Sequence, residues 1–219
     1  MHTIAIPEFA VVRGRTMFPD KDVDPAKTAV IAVDFQRFFI DEGQPMGNPH
    51  ARDIIDNANR INAAVRNSGG LVVITQHSMA DPSNVVEGER LRRDDAVLLP
   101  GSPSYDIHPD LVRADTDVAL VKYRSSPLHP KANAGLDAIL ETSGIQTLIV
   151  SGLASNGCCD CLARDAFQHG FDVIFASDAS AAMSDEEHNA TLLNLGLYYA
   201  RVMSTDEIVA SLDRSAARR

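Results

Sequence analysis

The chain has 219 residues, 45% of them hydrophobic and 23% charged, an ordinary globular composition in a length that can bury about 70% of its unfolded surface as one domain. Twenty basic against thirty acidic side chains leave a net charge of −10, so nucleic acid and anionic membrane are poor partners. No apolar run approaches the roughly 18 residues of a membrane span, and Arg13 and Arg15 are followed by no continuous apolar stretch of a secretory signal. All three cysteines, Cys158, Cys159 and Cys161, fall within four positions, which rules out a disulfide framework and fits a reducing cytoplasm.

Residues 1–25 read as an N-terminal extension to a single domain covering 1–219. Apolar, β-branched runs at 28–33, 71–76, 117–122, 146–151, 172–177 and 199–203 predict six strands. Between the first two, Ile54, Ala58, Ile61 and Val65 recur at helical spacing, and Gly69 with Gly70 ends the pattern. Further helices are expected at 131–142, 158–169, 185–197 and 205–213. Such alternation predicts an α/β fold: a six-stranded parallel sheet between two helical layers, joined by right-handed crossovers. Residues 78–115, rich in Asp, Pro, Gly and Arg, are long for a connection and read as a partly irregular lid-like insertion.

The most informative segment runs from Thr147 to Gly170. An apolar run reads as a buried strand, Ser151 to Gly157 as a small-residue turn, and Cys158 as the start of a helix that stops at Gly170. A thiol at a helix N-terminus meets unpaired backbone N–H groups and the positive end of the dipole, which favour thiolate. The same N–H groups can hold a developing oxyanion. Asp34 closes the first apolar strand and Lys122 the third. Ligands bind beyond the carboxyl ends of strands in open parallel sheets, so Asp34, Lys122 and Cys158 are expected on one rim.

With these residues the chain resembles the isochorismatase-like cysteine hydrolases, relatives of the nicotinamidases and N-carbamoylsarcosine amidohydrolases. Their nucleophile block, Gly-x-Ala-Thr-Asn-x-Cys-Val-x-x-Thr-Ala-x-Asp-Ala, is matched at Gly152, Ala154, Asn156, Cys158, Ala163, Asp165 and Ala166. Ser155 replaces Thr conservatively, while Cys159 and Leu162 depart from Val and Thr. Asp34 and Lys122 supply the other two motifs in the expected order, and the match spans roughly residues 28 to 205.

The resemblance implies a Rossmann-like three-layer fold, although a flavodoxin-like strand order would bring the three strand ends together more directly. It implies a Cys-Asp-Lys triad in which Asp34 takes the Cys158 proton and returns it to the leaving group, with Lys122 as an ammonium between them. It also implies a cis peptide at Leu153–Ala154 that aims the Ala154 N–H beside the Cys158 N–H as an oxyanion hole. Assembly as a dimer or tetramer is implied by resemblance alone.

Each residue has a plainer reading. Cys158 could be an inert buried thiol, or pair with Cys161 in a redox Cys-x-x-Cys, whereas a zinc site would need a second pair that the chain lacks. Asp34 could cap a loop, and Lys122 could be solvated. Nicotinamidases that hold a metal carry Asp-x-His after the second strand. Here Thr75-Gln76-His77 stands in that place, so no metal is expected, and His77 reads as a structural hydrogen-bonding residue before a substrate contact. No phosphate-binding glycine loop appears, so no cofactor is expected. Gln36, Phe39, Arg124 and Ser125 are the expected substrate-binding residues. Ser125 and Leu128 stand where the family commonly has aromatics, and with both aromatics lost the pocket wall is expected to differ.

The reading this supports is a metal-independent hydrolase cleaving a C–N bond in a small amide, carbamoyl or ureido compound. Vinyl-ether hydrolysis of the isochorismatase type needs the Asp but not the Cys, so an intact Cys158 favours the amidase. A non-catalytic binding protein of the same fold could lose a member of the triad, and this chain keeps all three.

Overall fold

The computed structural model describes residues 1–80 and 98–216. Its centre is six parallel strands, β1 (Thr28–Val33), β2 (Leu71–His77), β3 (Val118–Lys122), β4 (Thr147–Leu153), β5 (Asp172–Ala181) and β6 (Arg201–Met203). They lie in the order β3-β2-β1-β4-β5-β6. This is the Rossmann order, not a flavodoxin-like one. The chain winds outward from β1 to β3, then returns to start β4 on the other side of β1. The β1/β4 boundary is therefore the switch point where such sheets open a crevice.

Both faces of the sheet are covered, which is why β1 and β4 are largely apolar and fully buried. Val30, Ala32, Ile74, Ile149 and Ile174 face one layer, α3 (Ile55–Asn67) and α7 (Thr205–Ala216), through Ala58, Ile61, Val65, Ile208 and Leu212. The alternate residues Ala29, Ile31, Val33, Leu148, Val150 and Phe175 face the other layer. That layer is α4 (Leu136–Thr142), α5 (Asp160–Gln168) and α6 (Asp185–Tyr198), through Leu136, Leu140, Leu162, Ala166, Leu192 and Leu195. Strand alternation thus sorts one sequence into two cores.

The departures from the sequence reading that shape the fold most lie in the helical segments. The N-terminal extension contains a helix, α1 (Glu8–Met17), in which only Ala10 is buried while Phe9, Val12 and Met17 are exposed. Its apolar residues form no core-facing stripe, so periodicity did not reveal it. The helix expected at 131–142 begins at Leu136, because Asn133 (φ 55°) and Gly135 (φ 67°) adopt left-handed backbone. The helix expected to start at Cys158 starts at Asp160, after a wide turn from Ser155 to Cys159 in which Gly157 (φ −126°, ψ −108°) breaks helical geometry.

The central part of the lid-like insertion, 81–97, lies outside the described residues. Residues 98–115 are irregular apart from a short turn at Pro103–Tyr105, and they cross the end of β1. Gln36, just before the short helix α2 (Arg37–Ile40), forms an antiparallel bridge with Ile107, and the His108 N–H donates to the Phe35 carbonyl at 2.8 Å. Among the described residues, no helix is long and apolar enough to cross a membrane.

Candidate active site

Asp34 is the first residue beyond β1, held in left-handed backbone at φ 54°. Its N–H donates to the Thr75 carbonyl at 3.2 Å, and the Thr75 hydroxyl donates to Asp34 Oδ1 at 2.8 Å. β2 thus fixes both the turn and the carboxylate. On the other flank, Gly152 of β4 pairs with Val33 at φ 118°, and a Cβ there would stand 2.1 Å from the Val33 carbonyl oxygen. Only glycine lets β4 come this close to the strand that carries Asp34.

Lys122 ends β3, two strands from Asp34, and its long side chain crosses above the end of β2. Lys122 Nζ lies 2.7 Å from Asp34 Oδ2, and both side chains are fully buried. It donates to the Arg124 carbonyl at 3.1 Å and to Cys158 Sγ at 3.3 Å, and stands 3.4 Å from His77 Nδ1. One ammonium thus touches the carboxylate and the thiol. Cys158 belongs to the turn that follows the Leu153–Ala154 peptide, which is cis. The Ala154 carbonyl closes that turn by accepting from the Gly157 and Cys159 N–H groups at 3.0 and 3.2 Å.

The electrostatics correct one expectation. Burial pushes the Cys158 thiol up to about 12; the Lys122 charge pulls it down, but Asp34 adds to the burial effect. At neutral pH the resting group is therefore a thiol, not the thiolate that a helix start alone predicts. Burial works against the Lys122 ammonium, yet Asp34 and the cysteine outweigh it and hold its pKa above the ordinary lysine value. The site stores its charge as a carboxylate–ammonium pair beside a neutral thiol that remains partly accessible.

Cys159 is buried in the helix-side core, and burial raises its pKa well above the ordinary range. Cys161 is exposed. Of the expected substrate-binding residues, Gln36 is fully buried with both amide protons engaged, to the His77 carbonyl at 3.1 Å and the Tyr105 carbonyl at 3.0 Å. Its Oε1 accepts from the His77 N–H at 2.7 Å. Gln36 thus clamps the rim to the lid. Phe39 packs on the core and edge-on against Phe38, with ring centroids 4.9 Å apart. Arg124 and Ser125 are half-buried in the segment after β3, and the Arg124 guanidinium donates to the Tyr123 carbonyl at 2.8 Å.

Thr75 and His77 were not singled out by sequence as neighbours of Asp34 and Lys122. His77 is buried, and burial with the adjacent Lys122 charge lowers its pKa to about 4, so it is neutral. Its Nδ1 faces an ammonium, which does not suit a metal ligand. Among the described residues, His2, His50 and Asp185 have ligand atoms within 4.8 Å of one another. His2 is committed there, however, accepting from the Ala182 N–H through Nε2 at 3.1 Å and facing Asp185 Oδ1 through Nδ1 at 2.8 Å. A cation would have to displace both contacts.

The chain has known relatives. The isochorismatase domain model matches residues 28–207, and the chain belongs to that family. It is 29% identical over 195 residues to Nicotinamidase 3 of Arabidopsis thaliana, covering 88% of this chain and 92% of the relative. It is 26% identical to ureidoacrylate amidohydrolase RutB of Klebsiella pneumoniae, covering 88% and 89%. Among solved structures, a cysteine hydrolase from Pseudomonas syringae pv. phaseolicola superposes with a TM-score of 0.84 at 25% identity, covering 90% of this chain and 97% of that one. The named relatives are amidohydrolases, enzymes that act on carbon–nitrogen bonds.

Proposed function

We propose that this chain is a metal-independent cysteine hydrolase that cleaves the C–N bond of a small amide, carbamoyl or ureido compound. The observation that carries the reading is the single buried ammonium of Lys122, 2.7 Å from Asp34 and 3.3 Å from Cys158. A hydrolase needs a nucleophile, a base beside it and a fixed positive charge, and these three side chains supply them. The named amidohydrolase relatives support the bond class.

The chemistry follows from the resting charges. Asp34 takes the proton of the Cys158 thiol as sulfur attacks the planar carbonyl carbon, and Lys122 stabilises the thiolate that develops. The N–H groups of Ala154 and Cys158 receive the oxyanion. The intermediate collapses by breaking the C–N bond, and the nitrogen leaves with the proton held on Asp34. Asp34, a carboxylate again, then takes a proton from water. The hydroxide attacks the thioester, the C–S bond breaks, and the proton returns to sulfur. A neutral resting thiol suits this cycle, because the base acts only once the carbonyl is in place.

The test is ammonia release from a panel of small amides and ureides. Turnover is expected with the wild-type chain and with Cys159→Val, unchanged after dialysis against EDTA, and abolished by Cys158→Ala. Full activity in Cys158→Ala, or loss on chelation with recovery on adding metal, would overturn the reading.

A further inference from the structure

The turn that carries Cys158 is held from behind by a histidine outside the reacting groups. Ser155, three residues before Cys158, is fully buried, and its Oγ lies 2.9 Å from His188 Nδ1. His188, also fully buried, places Nε2 2.8 Å from the Ser177 carbonyl of β5. A carbonyl only accepts, so Nε2 must carry the proton. Nδ1 is then a bare acceptor, and the Ser155 hydroxyl must donate to it. The tautomer is fixed by chemistry, and β5 is joined to the nucleophile turn through one imidazole. Burial lowers the His188 pKa to about 4, so at neutral pH the ring stays in this form.

A second ring holds the first. His2 stacks on His188 with centroids 4.3 Å apart and planes at 9°. The Ala182 N–H donates to His2 Nε2 at 3.1 Å, which leaves the His2 proton on Nδ1, facing Asp185 Oδ1 at 2.8 Å. Asp185 lies in the first turn of α6, three residues before His188. His2 therefore ties that turn of the helix to the end of β5 and lies flat over the ring that supports Ser155. His50 covers the other side of His2 at 3.9 Å between centroids.

We propose that His188 is a positioning residue for Cys158, acting through the Ser155 hydroxyl, and that His2 is the latch that keeps it there. The inference rests on Cys158 being the nucleophile of the proposed hydrolase. A reacting sulfur must hold its place to a fraction of an ångström, and a turn anchored by one side-chain hydrogen bond loses that precision when the bond is removed.

The test compares Ser155→Ala, Ser155→Thr, His188→Leu and His2→Ala with the wild-type chain. The pH profile of Cys158 alkylation by iodoacetamide is read by peptide mapping, beside the melting temperature. Without its anchor, Cys158 escapes the buried contacts that raise its pKa. The alkylation midpoint in Ser155→Ala and His188→Leu is therefore expected to fall by about one pH unit or more toward that of an ordinary cysteine. Ser155→Thr, which keeps the hydroxyl and is the family's usual residue, keeps the wild-type profile. His2→Ala moves it in the same direction by less. With a working substrate, Ser155→Ala lowers kcat about tenfold while KM stays within about twofold. A wild-type profile in Ser155→Ala overturns the positioning role, and this variant decides if His188→Leu does not fold. A wild-type profile in His2→Ala overturns the latch. Alkylation needs no substrate, so the absence of turnover on every amide counts against the hydrolase reading alone.

Discussion

Lys122 and Asp34 form an ion pair of 2.7 Å that spans two strands and is fully closed to water. A pair this deep contributes little net stability, yet each partner compensates the burial of the other. Lys122→Met is expected to lower the unfolding free energy by about 3–5 kcal/mol, because it leaves an unpaired carboxylate in the core. The double variant Asp34→Asn/Lys122→Met should lose clearly less than the sum of the two single changes. Each single variant should also reduce turnover by roughly 100-fold or more. Denaturant titration of the four proteins checks the stability cycle, and additive losses would count against the coupling.

Gly152 marks where β4 must pass β1. An alanine there would need φ 118° and a Cβ 2.1 Å from the Val33 carbonyl, so the strand end that carries Asp34 has to move. Gly152→Ala is expected to cost on the order of 3 kcal/mol and most of the activity. Gly144→Ala is a useful control, since a Cβ there meets nothing within 4 Å and only its positive φ of 63° is strained. Its loss should be about 1 kcal/mol, and comparable melting temperatures for the two variants would refute the clash.

The histidines give a signed pH dependence. His77 and His188 have pKa values lowered from 6.5 to about 4, by burial first and, for His77, then by the neighbouring Lys122 charge. Between those values the unfolded chain binds protons that the folded chain does not. Stability should therefore be whole above pH 6.5 and fall as the pH drops toward 4, with a slope of up to about 1.4 kcal/mol per pH unit for each histidine. Unfolding free energies measured across this range check it. A flat curve would show that both rings take up protons in the folded chain as readily as in the unfolded one, which would contradict their lowered pKa values.

Asp34, Lys122 and Cys158 were legible because each closes or follows an apolar run, and parallel strands bring such positions to one rim. The supports of these residues were not. Thr75 reaches Asp34, and Gln36 reaches His77 and Tyr105, through contacts between elements that are remote in sequence, where no spacing rule applies. His188 left a faint signal, a histidine on the buried face shared with Leu192 and Leu195 of α6. Nothing local tied it to Ser155. The protonation of Cys158 was misread for the same reason: the helix start is visible in sequence, whereas burial and the nearby carboxylate belong to the tertiary structure.

Arg124 is the residue we propose as the anchor for a substrate carboxylate. It lies two residues beyond Lys122, half-buried, and its charge is one of those that lower the pKa of His77 beside Lys122. One guanidinium nitrogen is engaged by the Tyr123 carbonyl at 2.8 Å, a contact that steadies the group and leaves other N–H donors on the fork. A guanidinium so held can grip a substrate carboxylate through two parallel hydrogen bonds, which an ammonium cannot copy. If Arg124 binds substrate, Arg124→Lys should reduce kcat/KM by about 1–3 kcal/mol for substrates with a carboxylate while the melting temperature stays close to wild type. Uncharged amides should lose little by comparison. Equal losses on charged and neutral substrates, or a fall in stability with normal turnover in the folded fraction, would make Arg124 a structural residue.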